Sequence, residues 1–430
     1  MTNPTMDKLA PQGTPSKEGG SAASITLAPQ GAPSKEGGPA ALIRLERIRE
    51  EVLAAMERLP PERVALSAAS GRWLAEPVMA RRAAPPFACS AMDGYAVRSA
   101  DATGPARLRV VRTLFAGDPP GAPMGPCEAA RIFTGAPLPP GADAVVREEA
   151  ARESAGLVEL RDPPRPGENV REAGEDVQAG GLALEPGGRI GARQLALLTA
   201  VSTDHVTVVR RPRVALISTG DEVVSGRTPN SNGPAVAASL RALGADVAPE
   251  EVGDDVELLA AALERALAAC DAVVTIGGVS VGARDHVPAA VGRVGGEVRV
   301  HGVPMKPGKP FLFALARGKP VFGLPGSPSA CLVAFEVFAR PALLRLAGAA
   351  HPFRRALRLP LAEGVSGRAG RARFVWARLE GDGRVRPVGR DAAQVRGPAL
   401  ADALLWLREG ARELGEGELV EAWLLEDDAP

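Results

Sequence analysis

The chain has 430 residues, and its 51 basic residues balance its 51 acidic residues. This length predicts several domains, and the balanced charge argues against a broad surface for nucleic acid or an anionic membrane, although it leaves room for a local basic pocket. No apolar run reaches the roughly 18 residues of a membrane span and the N-terminus lacks the apolar core of a signal peptide, so we expect a cytoplasmic protein that binds neither nucleic acid nor membrane.

The first forty residues are rich in Pro, Gly and Ser and contain a near-duplicate, LAPQGTPSKEGG at 9–20 and LAPQGAPSKEGG at 27–38. A segment of this composition cannot bury enough apolar surface to offset the entropy that is lost on ordering. We therefore expect residues 1–40 to form a disordered tail.

A helical segment, a β-rich segment and a second helical segment follow. Residues 41–59 place apolar side chains three and four residues apart, which predicts an amphipathic helix that ends at a Pro-Pro pair. Short β-branched runs separated by Pro and Gly then predict a β domain over residues 76–167. Because helical spacing returns after this domain, we interpret 41–75 and 168–208 as one discontinuous helical domain with the β domain inserted.

The pattern changes to alternating strands and helices over residues 209–350. Apolar strand runs such as RVALIST and DAVVTIGG alternate with helical stretches such as VELLAAALERALAAC. Such βαβ units predict a doubly wound, mostly parallel sheet with helices on both faces. Residues 351–430 return to short alternating runs and predict a C-terminal β domain, so the expected fold class is multidomain α/β.

Ligands of open α/β sheets bind beyond the carboxyl ends of the strands, and three turns are expected there. STGDEV offers backbone N–H groups, a hydroxyl and two carboxylates that suit a hard cation. GGVSVGARDH offers glycines, a serine and an aspartate around a phosphate, and KPGK directs two lysines into the same space. The candidate residues of the three turns are Ser218, Thr219, Gly220, Asp221, Glu222, Gly277, Gly278, Ser280, Gly282, Asp285, Lys306 and Lys309.

Lysine usage singles out the third turn. Six of the basic residues are lysines, and three of them, Lys306, Lys309 and Lys319, fall within one short stretch. Each turn alone has a structural alternative, such as a tight turn, a helix cap or a solvated lysine pair. Together the turns fit a ligand that contains phosphate or pyrophosphate, with a divalent ion. The chain has neither a GxGxxG fingerprint nor a Walker A loop, which disfavours dinucleotide and P-loop sites.

Motifs spread in order over residues 41–430 strongly resemble the molybdopterin molybdenumtransferase family, the MoeA-type enzymes that are related to the E domain of gephyrin and of plant Cnx proteins. The motifs are SAMDGYAV, RIFTGAPLPPGADAVV, GENVREAGEDVQAG, RVALISTGDEV, GGVSVGARDHV, VPMKPGKPF and GLPGSPSACLVAF. The resemblance implies an L-shaped homodimer with four domains per chain. It also implies an enzyme that inserts molybdate into adenylylated molybdopterin with Mg²⁺-dependent release of AMP, and an upstream molybdopterin adenylyltransferase as a partner.

The resemblance further implies roles for individual residues. Asp93 and Thr134 belong to the inserted β domain, which in the family faces the pocket of the partner subunit. Catalytic roles are implied for Asp93, Thr134, Asp176, Glu222, Asp285, Lys306 and Lys309. Metal ligation is expected from Asp221, Glu222 and Asp285, while Pro310 and Arg371 are implied at the molybdate corner.

Three positions depart from the family pattern. Asn230 stands where a carboxylate is usual, Ala330 stands where a serine is expected, and the C-terminal stretch AAQVRGPAL lacks a serine. An amide binds Mg²⁺ less well than a carboxylate and cannot act as a base. An alternative function is therefore that of a divergent paralogue, a molybdopterin-binding or carrier module with weak or no insertion activity. A scaffold role of the dimer is a third hypothesis.

Overall fold

The computed structural model describes residues 45–280, 286–367, 370–389, 394–411 and 413–425. Its first helix, α1 (Leu45–Ala54), buries the predicted apolar stripe against the rest of the chain. The helix ends before the expected residue 59, because Leu59 donates its amide to the carbonyl of Leu346 (2.9 Å) instead of continuing the helical pattern.

Residues 61–209 contain two terminal segments that pair with each other and, between them in the chain, an inserted sheet. The elements are β1 (Pro61–Ala65), β2 (Val78–Met79), β3 (Cys89–Ser90), β4 (Gly94–Val97), β5 (Ala106–Leu114), β6 (Glu128–Ile132), β7 (Ala144–Arg147), β8 (Ala151–Ser154), β9 (Leu157–Leu160), β10 (Val170–Arg171), β11 (Leu182–Leu184), α2 (Ala192–Ala200) and β12 (His205–Val209). The inserted sheet has the strand order β7-β4-β6-β5-β9-β8. Strand β1 pairs antiparallel with β12 and β2 with β11, so residues 61–79 join residues 182–209 across the insertion.

The joining unit contains more strand than a helical domain was expected to contain. Within residues 61–79 and 182–209, all of which are described, α2 is the one α-helix. A run as short as HVTVV, which forms β12, does not distinguish strand from helix by periodicity alone. The prediction from the sequence therefore contained too much helix in this unit. The boundaries assigned to the individual domains stay predictions.

The central unit is the doubly wound sheet that the alternating pattern predicted. Its elements are β13 (Arg213–Thr219), α3 (Asp221–Val224), α4 (Asn232–Ala242), β14 (Asp246–Val252), α5 (Val256–Ala269), β15 (Ala272–Ile276), α6 (Val287–Arg293), β16 (Glu297–His301), β17 (Met305–Lys306), β18 (Leu312–Ala316), β19 (Lys319–Leu324), α7 (Pro328–Ala334) and α8 (Arg340–Leu346). The strand order is β14-β13-β15-β19-β18-β16, with the first four strands parallel and β18 antiparallel to both of its neighbours. Helices α4, α7 and α8 cover one face of the sheet, and α5 and α6 cover the other.

A second sheet lies at the C-terminal end and includes one strand from the central region. Its further elements are β20 (Ala356–Pro360), β21 (Ala372–Leu379), β22 (Val385–Pro387), α9 (Arg396–Ala399), β23 (Ala403–Leu407) and β24 (Leu419–Leu424). The strand order is β17-β21-β23-β24-β20, with β22 paired to β21. The two-residue strand β17 therefore ties the KPGK turn to the C-terminal sheet and not to the central one.

The largest hydrophobic cluster runs from α1 through α8 into the C-terminal sheet. It ends in three aromatic side chains, Phe374, Trp406 and Trp423, whose ring centroids lie 5.2–5.8 Å apart. Shared packing of this kind fixes the C-terminal sheet relative to the central unit. Among the described helices, none is long and apolar enough to cross a membrane.

Candidate functional site

Two of the predicted turns meet at the carboxyl ends of β13 and β15. The hydroxyl of Thr219 donates to the carbonyl of Ile276 (3.2 Å), and the amide of Gly277 donates to the carbonyl of Leu324 (2.9 Å) at the end of β19. Gly277 has φ +90°, and a Cβ at this position would lie 2.8 Å from the Thr219 hydroxyl oxygen. Glycine is therefore required here both by the backbone conformation and by the closeness of the neighbouring turn.

A further turn, between β19 and α7, contacts the same place. A Cβ on Gly326 would lie 3.7 Å from the Cα of Gly277, and the side chain of Asn232, the first residue of α4, donates to the carbonyl of Gly326 (2.7 Å). Three parallel strands thus end in turns that touch one another. This is the arrangement that the sheet-edge rule predicts for a ligand site.

The other candidates of the first two turns occupy the same edge. Ser218 is buried at the end of β13, and Gly220 has φ +144°. A Cβ on Gly278 would lie 3.3 Å from the Thr219 hydroxyl oxygen, while Ser280 is exposed. Gly282 and Asp285 lie outside the described residues, so their predicted roles stay predictions.

The carboxylates that follow β13 are exposed. One oxygen of Asp221 accepts a hydrogen bond from the amide of Asp254 (3.0 Å), and the carboxylate of Glu222 folds back over Gly220, where a Cβ would lie 2.9 Å from its Oε1. Within the described part of the chain, no group of three or more His, Cys, Asp or Glu side chains is arranged to hold a metal ion. Asp221 and Glu222 form a pair of neighbouring carboxylates, not a closed metal cage.

The KPGK turn lies against the N-terminal part of α7. Gly308 has φ +100°, and a Cβ at this position would lie 3.5 Å from the carbonyl oxygen of Ala330. The carbonyl of Lys309 accepts from the amide of Val303 (2.8 Å). Both lysines of the turn are exposed and Pro310 is half-buried. Because α7 follows directly on the Gly326 turn, the helix connects the lysine turn with the three sheet-edge turns.

Strand β21 brings arginine side chains to the lysine turn. Lys306 on β17 is in parallel register with Arg373 on β21, and the amide of Ala372 donates to the carbonyl of Pro304 (2.8 Å). Arg371, the residue implied at the molybdate corner, precedes this pair. Arg371 directly precedes the first residue of β21, and Arg373 is the second residue of the strand.

Arg373 is a candidate site residue that the sequence reasoning missed. It lines a cavity of about 40 Å³ together with Lys306 and Ser329, and its guanidinium donates to the backbone and side-chain oxygens of Ser366. At the back of this cavity the indole N–H of Trp376 donates to the hydroxyl of Ser329 (2.8 Å). The nearness of Arg373 to Arg371 in the sequence was the available signal, but only the pairing of β17 with β21 shows that Arg373 meets Lys306.

Two candidate residues of the inserted domain are bonded to each other. One carboxylate oxygen of Asp93 accepts from both the amide and the hydroxyl of Thr134 (2.7 Å each). These two hydrogen bonds, the backbone one first, lower the pKa of Asp93 below its ordinary value, so the group is a carboxylate at neutral pH. Asp176 is bonded instead to Arg171 (2.9 Å). Within the described residues, no hydrogen bond or ion pair links Asp93, Thr134 or Asp176 to the sheet-edge turns.

The third lysine of the clustered stretch has a structural role. Lys319 begins β19 at the opposite end of the sheet, and its ammonium donates to the carbonyls of Leu267 and Cys270 (2.7 Å each) near the end of α5. These are carbonyls of the kind that a helix C-terminus leaves unsatisfied. Lys319 therefore caps a helix and takes no part in the site.

Comparison with known proteins identifies relatives along most of the chain. Three family models match in order: the MoeA N-terminal region (domain I and II) at residues 43–202, a probable molybdopterin binding domain at 215–345, and the MoeA C-terminal region (domain IV) at 358–425. Molybdopterin molybdenumtransferase 2 of Mycobacterium tuberculosis is 36% identical over 395 residues, which cover 87% of this chain and 98% of the relative. Molybdopterin molybdenumtransferase of Nostoc is 40% identical over 305 residues, which cover 67% of this chain and 70% of the relative.

Solved structures give the same result. The crystal structure of a molybdopterin biosynthesis MoeA protein from Pyrococcus horikoshii superimposes with a TM-score of 0.72 at 34% identity, covering 90% of this chain and 100% of that chain. A second structure, from Pyrococcus horikoshii OT3, gives a TM-score of 0.77 at 25% identity, covering 89% of this chain and 100% of that chain. The similarity thus extends over both of the large sheets and the inserted one.

Proposed function

Because the chain belongs to the MoeA-type molybdopterin molybdenumtransferase family, we propose that it acts in molybdenum cofactor biosynthesis and inserts molybdate into adenylylated molybdopterin with release of AMP. The observation that supports this most directly is the contact between the turns that follow β13, β15 and β19, at the edge where α/β sheets bind ligands. The relatives named molybdopterin molybdenumtransferase match most of this chain and most of their own length.

In this proposal the sheet-edge turns hold the phosphates of the substrate. The amide of Gly277 is bonded to Leu324, so the backbone N–H groups that we propose for the phosphates are those of the next residues of the turn, Gly278 and Val279. The positive φ of Gly277 and Gly278 suits a turn that presents successive amides to an anion. The hydroxyls of Ser218 and Ser280 lie on the same turns. Such sites bind phosphate through fixed dipoles and need no lysine or arginine of their own.

The cations of the KPGK turn and of β21 would hold the molybdate oxyanion. Lys306 and Arg373 are paired across β17 and β21, Lys309 lies three residues after Lys306, and Arg371 directly precedes β21. A small tetrahedral dianion suits the compact ammonium of lysine, because a planar guanidinium fork matches flat or bidentate partners better. Pro310 would support the turn that presents these lysines.

A magnesium ion fits the carboxylates that follow β13. Mg²⁺ keeps several waters and takes one or two protein carboxylates together with substrate phosphates, and Asp221 and Glu222 are two exposed neighbouring carboxylates. Asp221 retains its second oxygen for this purpose, because only Oδ1 accepts from Asp254. When bound, the ion would supply positive charge that stabilises the AMP phosphate as it leaves. Asp285 is the third ligand that we propose from the sequence.

We propose a homodimer in which the inserted domain of each protomer completes the site of its partner. Asp93 and Thr134 support this, because they are exposed and bonded to each other, away from the sheet-edge turns of their own chain. Phe133, which directly precedes Thr134, is half-buried and stacks on the exposed ring of Phe115, with ring centroids 4.8 Å apart. We further propose that Asp176 contributes to the same surface, and that the upstream adenylyltransferase delivers the substrate.

The amide at position 230 has an explanation that does not require a loss of activity. Asn230 accepts the amide of Gly233 in the first turn of α4 (2.8 Å) and donates to the carboxylate of Glu251 (2.7 Å). A carboxylate at position 230 could not donate to Glu251. This departure therefore does not by itself favour the carrier hypothesis.

A coupled assay tests the proposed function. Purified protein is incubated with adenylylated molybdopterin, Mg²⁺ and molybdate, and AMP release is followed together with the formation of active molybdenum cofactor. We expect both products to form in equal amounts. Tight retention of the adenylate without AMP release would contradict the proposal and favour a carrier.

Lysine variants test the proposed role of the KPGK turn. Lys306→Ala combined with Lys309→Ala should lower molybdate-dependent turnover by about 100-fold or more, since each charge-assisted contact contributes about 1.5–3 kcal/mol. Lys319→Ala is the matched control, because it removes a lysine from the same stretch that caps α5. The control should lower the melting temperature while turnover at low temperature stays near that of the wild type. Unchanged turnover in the double variant would refute the assignment.

A further inference from the structure

A second cavity lies outside the proposed site and has a strongly basic lining. Its volume is about 730 Å³, which is in the range of small-molecule sites. It is formed where the start of α2, helix α8 and the segment between α8 and β20 meet. None of the residues proposed above for catalysis or substrate binding lines it.

Five arginines and one histidine line this cationic cavity, and no Asp or Glu occurs among the described residues that do so. They are Arg189, Arg193, Arg340, Arg354, Arg355 and His351. Glu336 lies behind the cavity and pairs with Arg354 (2.9 and 3.0 Å) and more distantly with Arg340 (3.8 Å). One half-buried carboxylate thus orients two of the arginines, and among the described lining residues Arg193 and Arg355 carry further positive charge.

Two of the arginines, which come from different segments of the lining, are exposed. Arg193 is the second residue of α2, and Arg355 directly precedes β20. Neither of them forms an ion pair or side-chain hydrogen bond with another residue in the described part of the chain. A guanidinium fork suits bidentate contact with phosphate oxygens, so these two side chains of the lining are available to an anion in the cavity.

Apolar side chains form the rest of the lining. The ring of Phe353 is 45% exposed, and the guanidinium of Arg49 lies 4.3 Å from its centroid. Trp73, Leu243 and Leu344 also line the cavity. The lining therefore offers positive charge for an anionic group and apolar surface for the remainder of a ligand.

We propose that the cationic cavity binds a phosphate-bearing small molecule at a site separate from the substrate site. The cavity joins two parts of the chain that are far apart in sequence: the loop before α2 with the start of that helix, and the stretch from helix α8 to the start of β20. A ligand held there stabilises their association by mass action. The inference does not depend on the proposed transferase activity.

Pyrophosphate is the probe for a direct test by isothermal titration calorimetry on the full chain. Because the sheet-edge turns of the proposed substrate site can also bind phosphate groups, the titration uses as its background the Gly277→Ala variant, in which an added Cβ 3.0 Å from the Thr219 carbonyl oxygen pushes those turns apart. We expect saturable binding in this background and a rise in melting temperature with pyrophosphate. Adding Arg193→Gln and Arg355→Gln should weaken the affinity by about tenfold for each arginine removed.

Arg152→Gln with Arg378→Gln is the matched control, because it removes two exposed arginines outside the cavity lining and leaves binding unchanged. Equal affinity in the cavity variant and in this control overturns the proposal, as does the lack of any saturable binding. The sequence continues after the last described residue with Glu426, Asp427 and Asp428. If pyrophosphate binds only after these three are changed to Gln and Asn, the proposal also fails, because the arginines then serve the chain's own carboxylates.

Discussion

The contact between the turns after β13 and β15 can be tested by adding one methyl group. Gly277→Ala places a Cβ 2.8 Å from the hydroxyl oxygen of Thr219 and 3.0 Å from its carbonyl oxygen. The second of these atoms belongs to the backbone and cannot rotate away. Gly277 also has φ +90°, a conformation that alanine adopts only with strain.

The expected cost has two parts. The backbone conformation costs about 1–2 kcal/mol for a residue with a Cβ, and forcing a methyl group into a filled space costs about 1–3 kcal/mol more. Gly295→Ala separates the two, since Gly295 has φ +74° and no atom lies within 4 Å of its added Cβ. The difference between the two variants measures the closeness of the turns alone.

Differential scanning calorimetry and the coupled assay provide the two measurements. At about 2–4 °C per kcal/mol for a domain of this size, Gly277→Ala should melt several degrees below Gly295→Ala. It should also lose more turnover, because the turns that hold the phosphates are pushed apart. Equal melting temperatures and equal turnover in the two variants would show that the turns do not touch as described.

Three further predictions concern the pairs that support the site and the sheet. Burial raises the pKa of Asp271, but the hydrogen bonds from Arg210 and Arg213 lower it by more, so the pKa lies below its ordinary value. The Asp271–Arg210 ion pair therefore stabilises the fold at neutral pH, and this stabilisation is lost as the pH falls through the lowered pKa. Asp271→Asn should make the melting temperature fall less steeply at acid pH than it does in the wild type. The Trp376–Ser329 hydrogen bond is buried, so Trp376→Phe or Ser329→Ala should cost about 1–3 kcal/mol, and a double variant that loses the full sum in calorimetry would argue against the bond. Asn230→Asp should place a carboxylate against that of Glu251, so we expect a lower melting temperature at pH 7 than at pH 5 and no gain in turnover; a gain would identify the amide as a handicap.

The sequence alone was sufficient for the central sheet and for the turns after β13 and β15. Strand runs such as RVALIST and the helices between them carry a local pattern of apolar residues, and the parallel arrangement follows because each crossover contains a helix. The position of Ser218–Glu222 and Gly277–Ser280 at one edge then follows from geometry, since parallel strands end at the same side of a sheet. The sequence did not predict that the two turns come so close that a Cβ on Gly277 would overlap with Thr219.

The pairs that connect distant parts of the chain were decided by the tertiary structure. Asp93 and Thr134 were singled out separately by resemblance, but their hydrogen bonds are visible only once β4 and β6 are neighbours. Arg373 meets Lys306 because two residues of the central region, β17, join the C-terminal sheet. Such pairings leave no trace in local periodicity, because the interacting residues are separated by tens of positions.

The lysine stretch shows the same division. Composition singled out Lys306, Lys309 and Lys319 together, and the sequence offers no means of separating them. The fold places Lys319 at the end of the sheet opposite the turns, where it caps α5. It places Lys306 and Lys309 in a turn that packs against the N-terminal part of α7. The amino-acid sequence determines which side chains are available and how each short segment folds. Which of them share one pocket depends on packing between segments, where the free energy comes from contacts that no single segment contains.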